Sequence, residues 1–198
     1  MSKPNILLLF TDMQRADTIA ALGNPVIQTP NLDRLVREGT AFTRCYSPSP
    51  VCIPARCCMH YGLYPQRTGL FVNGRMMDDN SRSYPQVLSE NGYRTAAVGK
   101  CHFTPDHHAL RGFGQRISQE EIISHYEEDD YRKWLTEKGL DPVEPHGERG
   151  PMYYIPQPSR FGEDAHPSAW IADRTMESIE AFSNEGSPWC LMSSFIHP

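Results

Sequence analysis

Continuous hydrophobic sequence is scarce at the start of this chain. The longest early apolar run, Ile6 to Phe10, falls far short of the roughly 20 residues that a membrane-spanning helix needs. It also lacks the basic flank, length and small-residue cleavage site of a secretion signal, so a cytoplasmic protein is expected, or a periplasmic one if a leader has been removed. There is no long basic run, and the net charge is −5, so neither nucleic acid nor a membrane surface is an expected partner. No CxxC pair occurs among the cysteines at 45, 52, 57, 58, 101 and 190, which argues against a structural zinc site. The vicinal Cys57 and Cys58 suit a reducing compartment, and most of the thiols read as small buried hydrophobes. Internal repeats are absent too.

What is present fits a globular domain: 198 residues, 39% hydrophobic and 22% charged. The run from Asn5 to Phe10 reads as a strand covered on both faces. Thr29-Pro30 opens a helix with Leu32, Leu35 and Val36 on one side and Gly39 as its stop. A short strand is expected over Ala41 to Tyr46, and a helix from Ile53 onward. A short helix is expected over Tyr84 to Glu90, a strand over Arg94 to Val98, a helix over Ser168 to Phe182, and a final strand over Trp189 to Ile196. Ser118-Gln119-Glu120-Glu121 has the capping-box pattern ahead of Ile122, Ile123 and Tyr126. The acidic run Glu127 to Asp130 reads as a solvated helix face or turn. Residues 140–168, with six prolines, read as a Pro-rich loop. Strands alternating with helices predict an α/β domain. It should have a mostly parallel central sheet flanked by helices and a site at the strands' C-terminal ends. A central strand that stops at Pro198 suggests that residues 1–198 are the N-terminal part of a longer domain.

Chemistry concentrates at Cys52-Ile53-Pro54-Ala55-Arg56. This segment sets a thiol at a helix N-terminus, where backbone N–H groups favour negative charge, and a guanidinium one turn later. Arg56 is a forked cation suited to a tetrahedral oxyanion such as a sulfate or phosphate ester. Taken alone, the segment is equally a buried Cys ahead of a Pro-started helix with Arg56 on the surface.

Further segments accompany it: KPNILLLFTD, TPNLDRLVREGTAFTRCYSPSPVCIPAR, GLYPQRTG, GYRTAAVGKCHF and the terminal SSFIHP. In order and spacing, from Lys3 to the end, they resemble the formylglycine-dependent sulfatases of the alkaline phosphatase superfamily. The resemblance implies that Cys52 is oxidised by a formylglycine-generating or sulfatase-maturating enzyme. In the family, the hydrated aldehyde offers two geminal hydroxyls: one attacks sulfur, and loss of the other's proton expels sulfate. Asp12 would be a metal ligand beside the modified Cys52, for a divalent cation. Calcium is the first expectation, with magnesium or manganese as alternatives. Lys100 would bind an ester oxygen, and His102 would act as a base on the diol. Asn73, in FVNG, would lie at the metal's edge or on the substrate, or simply form a turn. Many relatives carry two adjacent Asp residues where this chain has Asp12-Met13. That departure points toward the choline sulfatase and phosphonate monoester hydrolase branch.

The remaining histidines have plainer readings: His107-His108 in a surface loop, His166 as a helix cap, and His197 as neighbour to a family His that would follow Pro198. The family's other metal ligands and its leaving-group Lys lie later in sequence. The expected function is therefore hydrolysis of a small-molecule or carbohydrate sulfate ester by the whole protein, with this stretch inactive alone. The rivals are a phosphonate or phosphate ester hydrolase, a non-catalytic pseudoenzyme, and a cysteine hydrolase with a lowered Cys52 pKa.

Overall fold

The computed structural model describes residues 3–78, 81–121, 128–147 and 156–197. In chain order the elements are β1 (Ile6–Thr11), a 3-10 turn (Ala20–Leu22), α1 (Pro30–Glu38), α2 (Cys52–Tyr61) and α3 (Pro65–Thr68). Then follow α4 (Tyr84–Glu90), β2 (Arg94–Gly99), β3 (Gln115–Ser118), α5 (Asp130–Glu137), α6 (Pro167–Asn184) and β4 (Trp189–Phe195). Among the described residues the strands form one sheet in the order β1-β4-β2-β3, and every pairing is parallel. The α/β expectation holds.

Alternation along the central strands builds two cores. Ala97 and Met192 face α2 with Ile53, Cys57 and Tyr61, while Ala96, Val98 and Leu191 face α5 and α6 with Tyr131, Leu135, Trp170 and Ile171. Each large apolar side chain fully buried there contributes about 1.5–3 kcal/mol. All six cysteines are free thiols, and Cys57, Cys58, Cys101 and Cys190 are buried.

Several expectations fail for physical reasons. Among the described residues β1 lies at the sheet's edge and is not covered on both faces: Ile6, Leu7 and Leu9 are exposed, and only its Leu8 packs against a core cluster. Residues 41–46 form no strand, and among the described residues no strand offers them a ladder. Ser118 opens no helix over residues 119–121. It ends β3, and Asp130 accepts hydrogen bonds from its N–H and hydroxyl. The rest of that expected helix, Ile122, Ile123 and Tyr126, lies outside the described residues, as does Glu127. Asp129 is no solvated surface residue. It is fully buried, caps α5 through the Arg132 N–H and accepts the Glu120 N–H. Within residues 140–168, α6 already begins at Pro167, with His166 as its cap.

Candidate active site

Parallel strands deliver their C-terminal ends to one edge, and register fixes which residues meet there. Thr11 pairs with Phe195, and Gly99 with Ser194, so the chain leaves β1 and β2 on either side of β4. The Asp12 N–H donates to the Phe195 carbonyl at 3.0 Å, and the Lys100 N–H to the Ser194 carbonyl at 3.1 Å. Gly99 permits the second contact. Its φ is +89°, and a Cβ there would lie 2.1 Å from the Ser194 carbonyl oxygen.

α2 points its first residue at this edge. Val51 is extended, Pro54 suits the first turn, and Cys52 stands at the helix start. The Cys52 thiol approaches the Asp12 carboxylate, Sγ to Oδ1 3.9 Å. The Ile53 N–H donates to the Asn73 side-chain oxygen at 3.1 Å. Asn73 thus braces the start of α2 and occupies one of the N–H groups there that could hold an anion.

Arg56, one turn on, is 2% exposed rather than on the surface. Its Nη1 donates to the Lys100 carbonyl (2.5 Å) and the Ser194 hydroxyl (2.9 Å). Its Nη2 is buried without a hydrogen-bond acceptor, 3.7 Å from Asp12 Oδ2. The Lys100 ammonium, 1% exposed, lies between Asp12 Oδ2 (2.5 Å) and Glu121 Oε2 (2.7 Å). Burial works against its charge, but Glu121 and then Asp12 outweigh burial and hold its pKa above the ordinary lysine value. Burial raises the Cys52 thiol, more than Lys100 and Arg56 lower it. A cysteine hydrolase would need that thiol lowered instead.

The structure therefore brings together Cys52, Asp12, Arg56 and Lys100. His102 sits to one side, its ring stacked on His107 with centroids 6.3 Å apart and its backbone left-handed at φ 54°. Burial and then Lys100 push its pKa down to about 4, so it is a neutral imidazole at pH 7. The expected surface loop at His107-His108 is partly buried by this packing. His166 caps α6 through its Nδ1, and its ring faces that of His197 at 5.3 Å.

Two carboxylates of the site were not anticipated from sequence. Glu120 accepts from the backbone N–H of Cys101 and of His102 and pairs with Arg116 at 2.8 Å. Glu121 holds Lys100.

A calcium ion takes six to eight oxygen ligands. Asp12 supplies one hard carboxylate, and Arg56 Nη2, 3.7 Å from it, has no hydrogen-bond acceptor among the described residues. Among the described residues, no group of three or more His, Cys, Asp or Glu stands close enough to hold a metal. The soft Cys52 sulfur is also a poor calcium donor, so position 52 fits that role only once it carries oxygen. The donors present fit one corner of such a site.

The family model described as Sulfatase matches residues 4–198. An arylsulfatase of Clostridium perfringens is 28% identical over 99% of this chain and 43% of its own length. A choline-sulfatase of Rhizobium meliloti is 29% identical over 99% of this chain and 38% of its own. The phosphonate monoester hydrolase of Agrobacterium radiobacter superposes with a TM-score of 0.79 at 24% identity, covering 99% of this chain and 41% of that one. The chain thus spans about two fifths of the length of these relatives, in an alkaline-phosphatase-like fold. With the family match running through both the Asp12 strand end and the Cys52 helix, the chain belongs to the sulfatase family.

Proposed function

We propose that the whole protein hydrolyses sulfate esters, small-molecule or carbohydrate, with Cys52 as precursor of a formylglycine nucleophile. The observation that carries the reading is the Cys52 sulfur 3.9 Å from Asp12, on a carboxylate where Lys100 and Arg56 converge. A maturating enzyme would supply the oxidation, and the hydrated aldehyde would supply a nucleophilic hydroxyl with a second one to expel sulfate. Asp12 would hold a divalent cation, calcium in the first instance, with residue 52 after conversion. Arg56 fixes the geometry, since its Nη1 ties the Lys100 carbonyl to Ser194. Lys100 neutralises an ester oxygen as a point charge, and the neutral His102 ring has a lone pair free to take a proton. Asn73 orients the nucleophile through α2.

The test is co-expression with a formylglycine-generating enzyme, followed by peptide mass and turnover of an aryl sulfate. Conversion of Cys52 to the aldehyde is expected, with activity in the full-length protein abolished in Cys52→Ala. Activity carried by unconverted Cys52, or undiminished in Cys52→Ser, would defeat the proposal. Asp12 alone holds a cation poorly, so the 198-residue stretch by itself is expected to be inactive; robust turnover by it would overturn that part. An enzyme that is never converted and never turns over would instead be a pseudoenzyme.

A second reading, phosphonate or phosphate ester hydrolysis, is favoured by one feature. Met13 is 62% exposed at φ 57°, so the position after Asp12 adds no second carboxylate. Relative turnover of p-nitrophenyl sulfate, p-nitrophenyl phosphate and a phenylphosphonate ester separates the two.

A further inference from the structure

The Lys100 ammonium is almost wholly buried and has two carboxylate partners where one would satisfy it. Asp12 faces Cys52 and is the carboxylate a cation would claim. Glu121 faces Lys100 from the loop after β3, is itself 6% exposed, and stays as its counter-ion whichever way Asp12 turns. Among the described residues, the charged side chains converging here are Asp12 from the end of β1, Arg56 from α2, Lys100 from the end of β2, and Glu121. They sum to zero, and without Glu121 they would sum to +1. Among the described residues the other charged groups nearby do not alter this sum: Glu120 is paired with Arg116, and His102 and His197 are both held toward the neutral form by burial.

We propose that Glu121 is a specificity-determining residue that sets the charge of this site one unit lower, favouring singly charged esters over doubly charged ones. The inference rests on the reading of Cys52 and its surroundings as an ester site. Sulfate monoesters, phosphonate monoesters and phosphate diesters each carry one negative charge. A phosphate monoester carries about −1.5 to −2 at neutral pH. Tetrahedral shape barely separates these substrates, so a fixed carboxylate behind the anion-binding lysine is a means of sorting them by charge. One unit charge acting over roughly 6–7 Å at an effective dielectric of ~40 changes the relative affinity for one added negative charge by about tenfold.

Benzenesulfonate and phenylphosphonate form a matched pair of probes, since in mildly alkaline buffer they have one shape and carry one and two charges. Their dissociation constants are measured by calorimetry on the calcium-supplemented protein, as wild type, Glu121→Gln, Glu121→Ala and Glu121→Asp. Thermal melting establishes that each variant is folded. The expected result is a shift of about tenfold in favour of phenylphosphonate in either neutral variant and a wild-type ratio in Glu121→Asp. A ratio unchanged in a folded neutral variant overturns the proposal, as does an equal shift in Glu121→Asp, which would make the effect one of shape. The assay needs neither formylglycine nor turnover. A shifted ratio in a protein that hydrolyses nothing therefore removes the proposed function and leaves this inference standing. An unshifted ratio in an active enzyme does the reverse, and failure of the wild type to bind either anion removes both.

Discussion

Glu120 and Glu121 are adjacent, both nearly inaccessible to water, and both pair with a cation, yet they hold different things. Glu120 grips backbone: the N–H groups of Cys101 and His102, with Arg116 closing the arrangement from the side. It keeps the left-handed turn at His102 in place. Glu121 grips the end of a side chain, the Lys100 ammonium, which already has a second partner. One carboxylate fixes the path of the chain and the other sets a charge. Identical chemistry at neighbouring positions thus separates into shape and electrostatics.

The largest effect should come from breaking the first. Glu120→Ala leaves Arg116 buried and unpaired and two N–H groups without acceptors, at a cost of about 3–5 kcal/mol. For a chain of this size the melting temperature should fall by about 10 °C, read by calorimetry. Next comes acid. His102 titrates near 4 in the fold, against about 6.5 unfolded, so the unfolded chain binds more protons between those values. The contribution of His102 is complete above about pH 6.5 and drains as pH falls toward 4. Asp129 runs the other way, because its folded pKa is raised to about 7 by burial. Its carboxyl therefore costs stability as pH rises from about 4 to 7. Urea titrations at about pH 7 and 4.5 should show His102→Gln losing about 2 kcal/mol less on acidification than the wild type; equal losses would refute the neutral imidazole. A neutral brace gives a smaller effect: Asn73→Ala strips the acceptor from the Ile53 N–H and should cost about 1 kcal/mol in urea unfolding. Smallest of all, Glu121→Gln should cost under about 1 kcal/mol, since Lys100 keeps Asp12 as partner. A loss as large as that of Glu120→Ala would erase the contrast between the two carboxylates.

Legibility from sequence followed the same division. Apolar runs and caps reveal β2, β4, α1, α4 and α6 to within a residue or two, because period and punctuation are local signals. β3, reading QRIS, has no apolar run and lies at a sheet edge, so only its partner β2 makes it a strand. The exposure of β1 was equally illegible, because Leu7 and Leu9 state a preference for burial without saying whether anything covers them. At the site, Cys52, Arg56, Asp12 and Lys100 stand out through motif spacing and family resemblance. Glu121 does not: the Ser-x-x-Glu pattern has a stock local meaning, and the partner that overrides it lies 21 positions upstream.

Gly99 lets β2 lie so close to β4 that Ser194 receives the Lys100 N–H on its carbonyl and Arg56 on its hydroxyl. A methyl group there would act as a wedge driven between the two strands, prying the lysine and the arginine out of alignment in a single stroke. By that measure the most fragile atom of this edge is one the protein does not have.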